Sequence, residues 1–195
     1  VIKPLHFHNF VQCFQKWLSL SGAAFGSGFE PPRLLDLART AGLIGRSGLL
    51  VKLVSKIDKI GPHFRNALIT GPTGSGKELV AKLLHRVSGR SGPFVVFNCA
   101  AVPESLFESE LFGHAKGAFT GATRNRIGMA AHASGGTLFI DEVADLPLRM
   151  QAALLRLVQS REIKRLGSYE ATDLDIRIIA AGNRDLRQMV EEGTF

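Results

Sequence analysis

The chain has 195 residues, of which 45% are hydrophobic and 21% charged, enough for one domain with a real core and part of another. No run of about 18 or more uncharged apolar residues occurs, which excludes a membrane-spanning helix, and the opening Val1-Ile2-Lys3-Pro4 lacks the basic-then-apolar layout of a secretory signal. The net charge of +7 is scattered over residues such as Arg33, Arg46, Arg86, Arg124, Arg156 and Arg187, with no stripe and no aromatic interleaving. It reads as a solvated basic surface, not as a nucleic-acid footprint.

The chain does not begin with Met, which reads as a fragment or a trimmed chain. Cys13 and Cys99 lie far apart in apolar settings. Buried free thiols are expected there, and with them a cytoplasmic home.

In residues 1–20, apolar side chains recur at Phe7, Phe10, Val11, Phe14, Trp17 and Leu18, the spacing of an amphipathic helix. Residues 19–32 are rich in Gly, Ser and Pro and read as a linker. Leu34, Leu35, Leu37 and Ala38 suggest a short helix leading in. From Leu43 the main domain begins, with a helical stripe at Leu49, Leu50, Leu53, Val54 and Ile57 that Gly61-Pro62 ends.

A short apolar strand at 67–70 then runs into Gly71, Pro72, Thr73, Gly74, Ser75, Gly76, Lys77 and Glu78, and an amphipathic helix follows to about Val87. Strand, glycine-rich turn and helix in this order are what a phosphate-binding loop requires. The glycines let backbone N–H groups curl around a polyphosphate. The helix aims its positive end at the anion, and Lys77 supplies a point charge for the terminal phosphates. Glu78 departs from the general motif, which places Ser or Thr there to meet Mg²⁺.

Phe94 to Phe97 is a continuous apolar run, read as a strand buried on both faces. Asn98 stands at its carboxyl end, where open α/β sheets place ligand-contacting residues. A helix is expected over 105–112. In Gly117, Ala118, Phe119, Thr120, Gly121 and Ala122, glycines frame an apolar tip, and an aromatic residue on such a loop more often meets a partner than fills a core. Residues 137–140 form a strand running into Asp141 and Glu142. Helices over 150–159 and 185–192, a strand and turn at 161–167, and a strand at 176–181 ending in Gly182-Asn183 complete the pattern. Strands alternating with helices predict a parallel sheet in an α/β fold.

Phosphoanhydride hydrolysis needs a positioned nucleotide, charge neutralisation and an activated water. Asp141 suits Mg²⁺, held partly through water, and Glu142 suits the general base. Asn183 could hydrogen-bond the water or the γ-phosphate, and Asn98 could hold Glu142 idle until ATP is in place. Taken alone, a strand ending in Asp-Glu also reads as a solvated turn, and Gly-Asn is a turn dipeptide.

Several segments together carry a resemblance: 71–78, Asn98-Cys99-Ala100-Ala101, Glu110-Leu111-Phe112-Gly113-His114, 117–122, and Gly135 to Glu142. From about Leu43 to Phe195 the chain resembles the AAA+ domain of bacterial enhancer-binding proteins, activators of sigma-54 RNA polymerase. The hexapeptide 117–122 is close to diagnostic, and Glu78 is usual in that family. The resemblance implies a three-layer P-loop NTPase that uses ATP and Mg²⁺ and assembles into a homo-oligomeric, hexamer-like ring. It also implies that ATP binding raises the loop bearing Phe119 and Thr120 against the sigma-54 holoenzyme. Asn98 and Glu142 match the family's switch pair, and Asn183 its first sensor. Ala115, where Glu is usual, and Met129-Ala130-Ala131 depart from the pattern.

Lys3-Pro4 with the helix behind it resembles the end of a response-regulator receiver domain, in which Lys3 would contact a phosphorylated Asp and Pro4 would be cis. A plain amphipathic helix is the alternative. The expected organisation is therefore a receiver end at 1–20, a linker at 21–42 and an incomplete AAA+ domain at 43–195, belonging to a two-component regulator of transcription. The family's neighbour-reaching arginines, helical lid and DNA-binding domain for enhancer DNA would lie past Phe195, so the piece alone is expected to be a poor ATPase, with strand 67–70 left as an exposed edge. The rival readings are another AAA+ remodeller, which the hexapeptide opposes, and a nucleotide-gated binding module, which Glu142 opposes.

Overall fold

The computed structural model describes residues 31–195 except residue 46. The expected receiver-like segment, with Lys3, Pro4 and Cys13, lies outside the described residues. Within 21–42, the lead-in helix is α1 (Pro31–Thr40). It is followed by α2 (Gly48–Ile60), whose first turn is capped by the Ser47 side chain accepting from the Leu50 N–H.

The central sheet is built from β1 (Asn66–Thr70), β2 (Phe94–Asn98), β5 (Thr137–Asp141) and β8 (Arg177–Gly182). It is parallel throughout, in the order β1-β8-β5-β2. The connecting helices are α3 (Lys77–Val87), α4 (Phe107–Phe112), α5 (Met129–His132), α6 (Leu148–Ser160) and α7 (Leu186–Glu191).

Side chains alternate across a strand, and this alternation divides the core in two. Phe139, Ile179 and Ala181 face a layer containing Ala38, Val54, Ile57, Ala81 and Leu84 of α1 to α3. Leu138, Ile140, Ile178 and Ala180 face Phe107, Leu111, Leu154, Leu157 and Met189 of α4, α6 and α7. The three-layer α/β expectation therefore holds. Met129 to Ala131, a departure from the family pattern, packs into the second layer, with Ala130 fully buried.

One expectation needs correction. The run 94–97 is not buried on both faces: β2 is an edge strand, and Val96 is 41% exposed. The first helical layer covers β1, β8 and β5 and meets β2 at its start, where the Phe94 ring lies 5.5 Å from that of His85 on α3, leaving Val96 beyond it. Two small ribbons accompany the sheet. Antiparallel ribbons join β3 (Gly113–His114) to β4 (Arg126–Ile127), and β6 (Glu162–Lys164) to β7 (Ala171–Asp173). The strand and turn expected over 161–167 are present, the strand being β6, while its exposed partner β7 has no apolar alternation to betray it. As expected, β1 stands at an edge of the sheet.

The amino ends of the strands are sealed by arginines. Arg177 donates to the Gly61 and Pro62 carbonyls at 2.5 and 2.8 Å and lies 4.9 Å from the centre of the Phe64 ring. Arg90 makes a bidentate pair with Asp175. Arg161 reaches the Arg65 carbonyl and the Asn66 side chain. Burial, with the charge of Arg65 adding, pushes the Arg161 guanidinium down to about 10.

Candidate nucleotide site and loop

Every sequence-chosen nucleotide residue falls at the carboxyl edge of this sheet. The loop 71–76 joins β1 to α3 and places Gly74 and Gly76 at φ +78° and +82°, a region L side chains rarely adopt. The Gly71 N–H donates to the Gly182 carbonyl at 3.2 Å, which fastens the loop's root to the end of β8. Lys77 opens α3, and its Nζ donates to the Gly71 and Pro72 carbonyls, both at 3.0 Å. The ammonium is therefore held over the loop by two neutral acceptors, which a phosphate oxygen would outbid. Glu78 is ion-paired with Lys82 at 2.7 Å, one turn along α3. Its carboxylate thus has an occupation other than a metal.

Asp141 ends β5 beside Asn98, its register partner on β2. The Asp141 Oδ1 accepts from the Glu142 N–H at 2.9 Å. Glu142 itself sits at φ 56° and ψ 40°. That left-handed conformation costs a non-glycine residue about 1 kcal/mol or more, and such strain collects at functional sites. It turns the chain into a 3₁₀ turn, Val143–Asp145, in which the Asp145 N–H donates back to the Glu142 carbonyl. The carboxylate-rich setting is felt by Cys99, a buried free cysteine as expected. Its thiol is pushed up to about 12, by burial first and then by the charges of Asp141, Glu142 and Asp145.

Asn98 does something the sequence did not suggest. Its Oδ1 accepts from the Ala100 and Ala101 N–H groups at 2.9 and 3.3 Å and caps the turn Cys99–Ala101. Its described hydrogen bonds go to its own turn and not to Glu142, and Nδ2 is the atom able to donate to a carboxylate. Asn183, just past β8, directs its Nδ2 to the Thr73 Oγ1 of the phosphate loop at 3.4 Å. Loop, Asp141-Glu142 and Asn183 thus converge on one sheet edge.

Two features escaped the sequence reading. Gly42 packs against Leu79 of α3, with a hypothetical Cβ only 3.3 Å from Cδ2, so the 42–45 segment stands beside the phosphate loop and exposes Ile44. Arg184, the residue after Asn183, donates to the Ala144 carbonyl at 2.7 Å. No pattern in the sequence marks either.

The 117–122 loop hangs from the β3–β4 ribbon. Its root is pinched where Gly113 and Gly128 cross, since a Cβ at either would lie 2.3 Å from the opposing backbone. A Glu110–Arg126 ion pair at 2.5 Å closes the root from the side. At the tip, Gly117 N–H donates to the Ala122 carbonyl at 2.8 Å, and the Phe119 ring stands edge-on to buried His114 at 5.0 Å. His114 in turn shares a hydrogen bond with Ser109. Phe119 remains 41% exposed and, with Leu106, Thr120, Arg149 and Leu166, lines a cleft of about 830 Å³.

Comparisons with known proteins give the chain a family and a fold. Residues 43–195 match the family described as the Sigma-54 interaction domain. The chain is 52% identical over 154 residues to the regulatory protein LuxO of Vibrio cholerae, covering 78% of this chain and 29% of LuxO. It is 45% identical to the transcriptional regulatory protein ZraR of Salmonella typhimurium, covering 100% of this chain and 43% of ZraR. Among solved structures, NtrX of Brucella abortus in complex with ATP superposes with a TM-score of 0.70 at 33% identity, covering 100% of this chain and 43% of NtrX. The chain therefore spans less than half the length of these relatives. Matched over most of its length, it belongs to the sigma-54 interaction domain family, a family of the AAA+ ATPase kind.

Proposed function

We propose that this chain is the ATP-hydrolysing core of a transcription activator that remodels sigma-54 RNA polymerase holoenzyme. The observation that carries the reading is the convergence of Lys77, Asp141, Glu142 and Asn183 on one sheet edge, with Asn183 touching the phosphate loop. The ATP complex of NtrX supports the choice of nucleotide.

ATP lies across that edge, its base against the 42–45 segment and its phosphates in the 71–76 loop. Lys77 exchanges its two carbonyl acceptors for phosphate oxygens. Asp141 fits Mg²⁺: a single carboxylate with one oxygen already steadied by a backbone N–H suits an ion that takes its remaining ligands from water and phosphate. Bound there, Mg²⁺ would supply charge neutralisation. Glu142 takes a proton from a water as the water's oxygen bonds to the γ-phosphorus. The bond to the bridging oxygen breaks, and ADP and inorganic phosphate leave. Asn183 orients the water or the γ-phosphate, and Asn98, through Nδ2, restrains Glu142 when the site is empty.

The loop 117–122 delivers the result. Phe119 and Thr120 sit at the tip of a tethered, half-exposed element and meet sigma-54 when ATP is bound. The full protein acts in the cytoplasm as a homo-oligomeric ring, with hexamer as the expected number. It is a two-component regulator in which residues 1–20 end a receiver domain, 21–42 lead into the ATPase core, and a further domain binds enhancer DNA.

The test uses the full-length protein and sigma-54. Glu142→Gln should keep ATP binding and lose about 10²- to 10⁴-fold in turnover. Thr120→Ala should keep turnover and lose ATP-dependent retention of sigma-54. A Glu142→Gln protein that hydrolyses ATP at the normal rate removes the base. Normal sigma-54 retention by Thr120→Ala removes the loop assignment.

A further inference from the structure

Arg184 follows Asn183 directly and is the only link the described hydrogen bonds show between the β8 end and the turn behind Glu142. Its Nη2 donates to the Ala144 carbonyl at 2.7 Å and to the Asp145 Oδ1 at 3.2 Å. Ala144 and Asp145 belong to the turn Val143–Asp145, which Glu142 enters at φ 56°. The Asp145 N–H, in turn, donates to the Glu142 carbonyl at 3.1 Å. A guanidinium on the sensor side thus grips the short turn that fixes the backbone of the base. The packing below agrees: a Cβ at Gly182 would lie 3.7 Å from Val143 Cγ1 and Ala144 Cβ. The end of β8 and the turn are therefore close neighbours, with space for about a methyl group between Gly182 and the turn and the Arg184 bond spanning them.

We propose that Arg184 is a positioning residue for hydrolysis. It holds the Val143–Asp145 turn so that Glu142 stays in its left-handed backbone conformation, and it ties that conformation to the place of Asn183 at the γ-phosphate end. The proposal deepens the reading of Glu142 as base and rests on it. Arg184 itself touches neither substrate nor the reacting atoms; it acts through the turn. Its side chain is 54% exposed, so the Asp145 ion pair is screened by solvent and contributes little. The bond to the Ala144 carbonyl is the one that orders the turn. Because the bond fixes geometry and not nucleotide contacts, its loss should fall on the chemical step and spare binding.

The experiment uses the full-length protein, with steady-state and single-turnover hydrolysis and the Kd of a fluorescent ATP analogue. Arg184→Gln should lower kcat by about ten- to hundredfold, the penalty of a misplaced catalytic group, and leave the analogue's Kd within about twofold. Arg184→Lys, which can still reach one carbonyl, should recover most of the rate. In a Glu142→Asp background, where a shorter carboxylate keeps residual turnover, Arg184→Gln should cost much less than it does alone, because the two residues act on one step. Unchanged kcat in Arg184→Gln overturns the proposal. So does a Kd weakened as much as kcat, or a full additive loss in the Glu142→Asp background. Normal turnover by Glu142→Gln would instead show that Glu142 is not the base, a failure of the underlying reading. Loss of turnover by Glu142→Gln beside an indifferent Arg184→Gln would isolate the failure to Arg184.

Discussion

The two ends of the parallel sheet are both polar, but they are built on opposite plans. At the amino ends, arginines are consumed by structure: Arg177 closes the Gly61 and Pro62 carbonyls, Arg161 closes Arg65, and Arg90 is locked to Asp175. At the carboxyl ends, the groups are held in readiness. Lys77 rests on neutral carbonyls, Glu142 is held in a left-handed conformation, and Asn183 only grazes Thr73 at 3.4 Å. One end spends its charge on stability and the other keeps it for a ligand. Substitutions at the two ends should therefore separate cleanly, one set moving stability and the other moving ATP.

The largest separation is expected at Lys77. In the full-length protein, Lys77→Ala should weaken ATP binding by between about ten- and a hundredfold, the loss of a charge-assisted contact of roughly 1.5–3 kcal/mol. Stability should change by less than about 0.5 kcal/mol, since the ammonium now makes only two bonds, to one part-buried and one exposed loop carbonyl. Nucleotide titration and urea unfolding of the same preparations decide it. A Lys77→Ala protein that binds ATP normally would break the contrast at its strongest point, and with it the phosphate loop.

Arg177 is the reverse case. Arg177→Ala removes two bonds from a charged donor and a cation on the Phe64 ring, and leaves the Gly61 and Pro62 carbonyls without their partner. Unfolding free energy should fall by about 2 kcal/mol, with ATP affinity unmoved. A variant that unfolds normally but binds ATP poorly would show that the amino-end seal reaches across the sheet.

The same contrast explains what was legible in the sequence. The carboxyl edge was readable because local chemistry dictates it. Gly74 and Gly76 are glycines because of their positive φ, and apolar runs end in Asp141 and Asn183 where strands must stop. The amino edge was not readable, because Arg177 and Arg161 find acceptors about a hundred residues away, and nothing around them reports it. Val96 was misjudged for a related reason: an apolar run shows that a strand exists, while its exposure depends on strand order. The ribbon strand β7 offered no apolar alternation. The backbone of Glu142 escaped because left-handed residues other than glycine leave little trace in residue type.

The smallest effect should come from Asp175, and its pH dependence tests whether the amino end is stabilising at all. The hydrogen bond from Arg90 holds the Asp175 carboxyl below its ordinary value, with the charges of Arg90, Arg177 and Arg65 adding to it. A carboxyl depressed in the folded state contributes its full stability above the unfolded value of about 3.9, and loses that contribution as pH falls through the lower folded value. Asp175→Asn should therefore be slightly less stable than wild type at neutral pH, and the difference should close below about pH 4. The Asp175 side chain is 73% exposed, so the gap should stay under about 1 kcal/mol and shrink with added salt. A gap that widens on acidification would reverse the sign of the Arg90 interaction. A gap of several kcal/mol would mean that the pair is shielded from solvent far better than its exposure allows, and the amino end would then owe its stability to charge pairing more than to arginines closing backbone carbonyls.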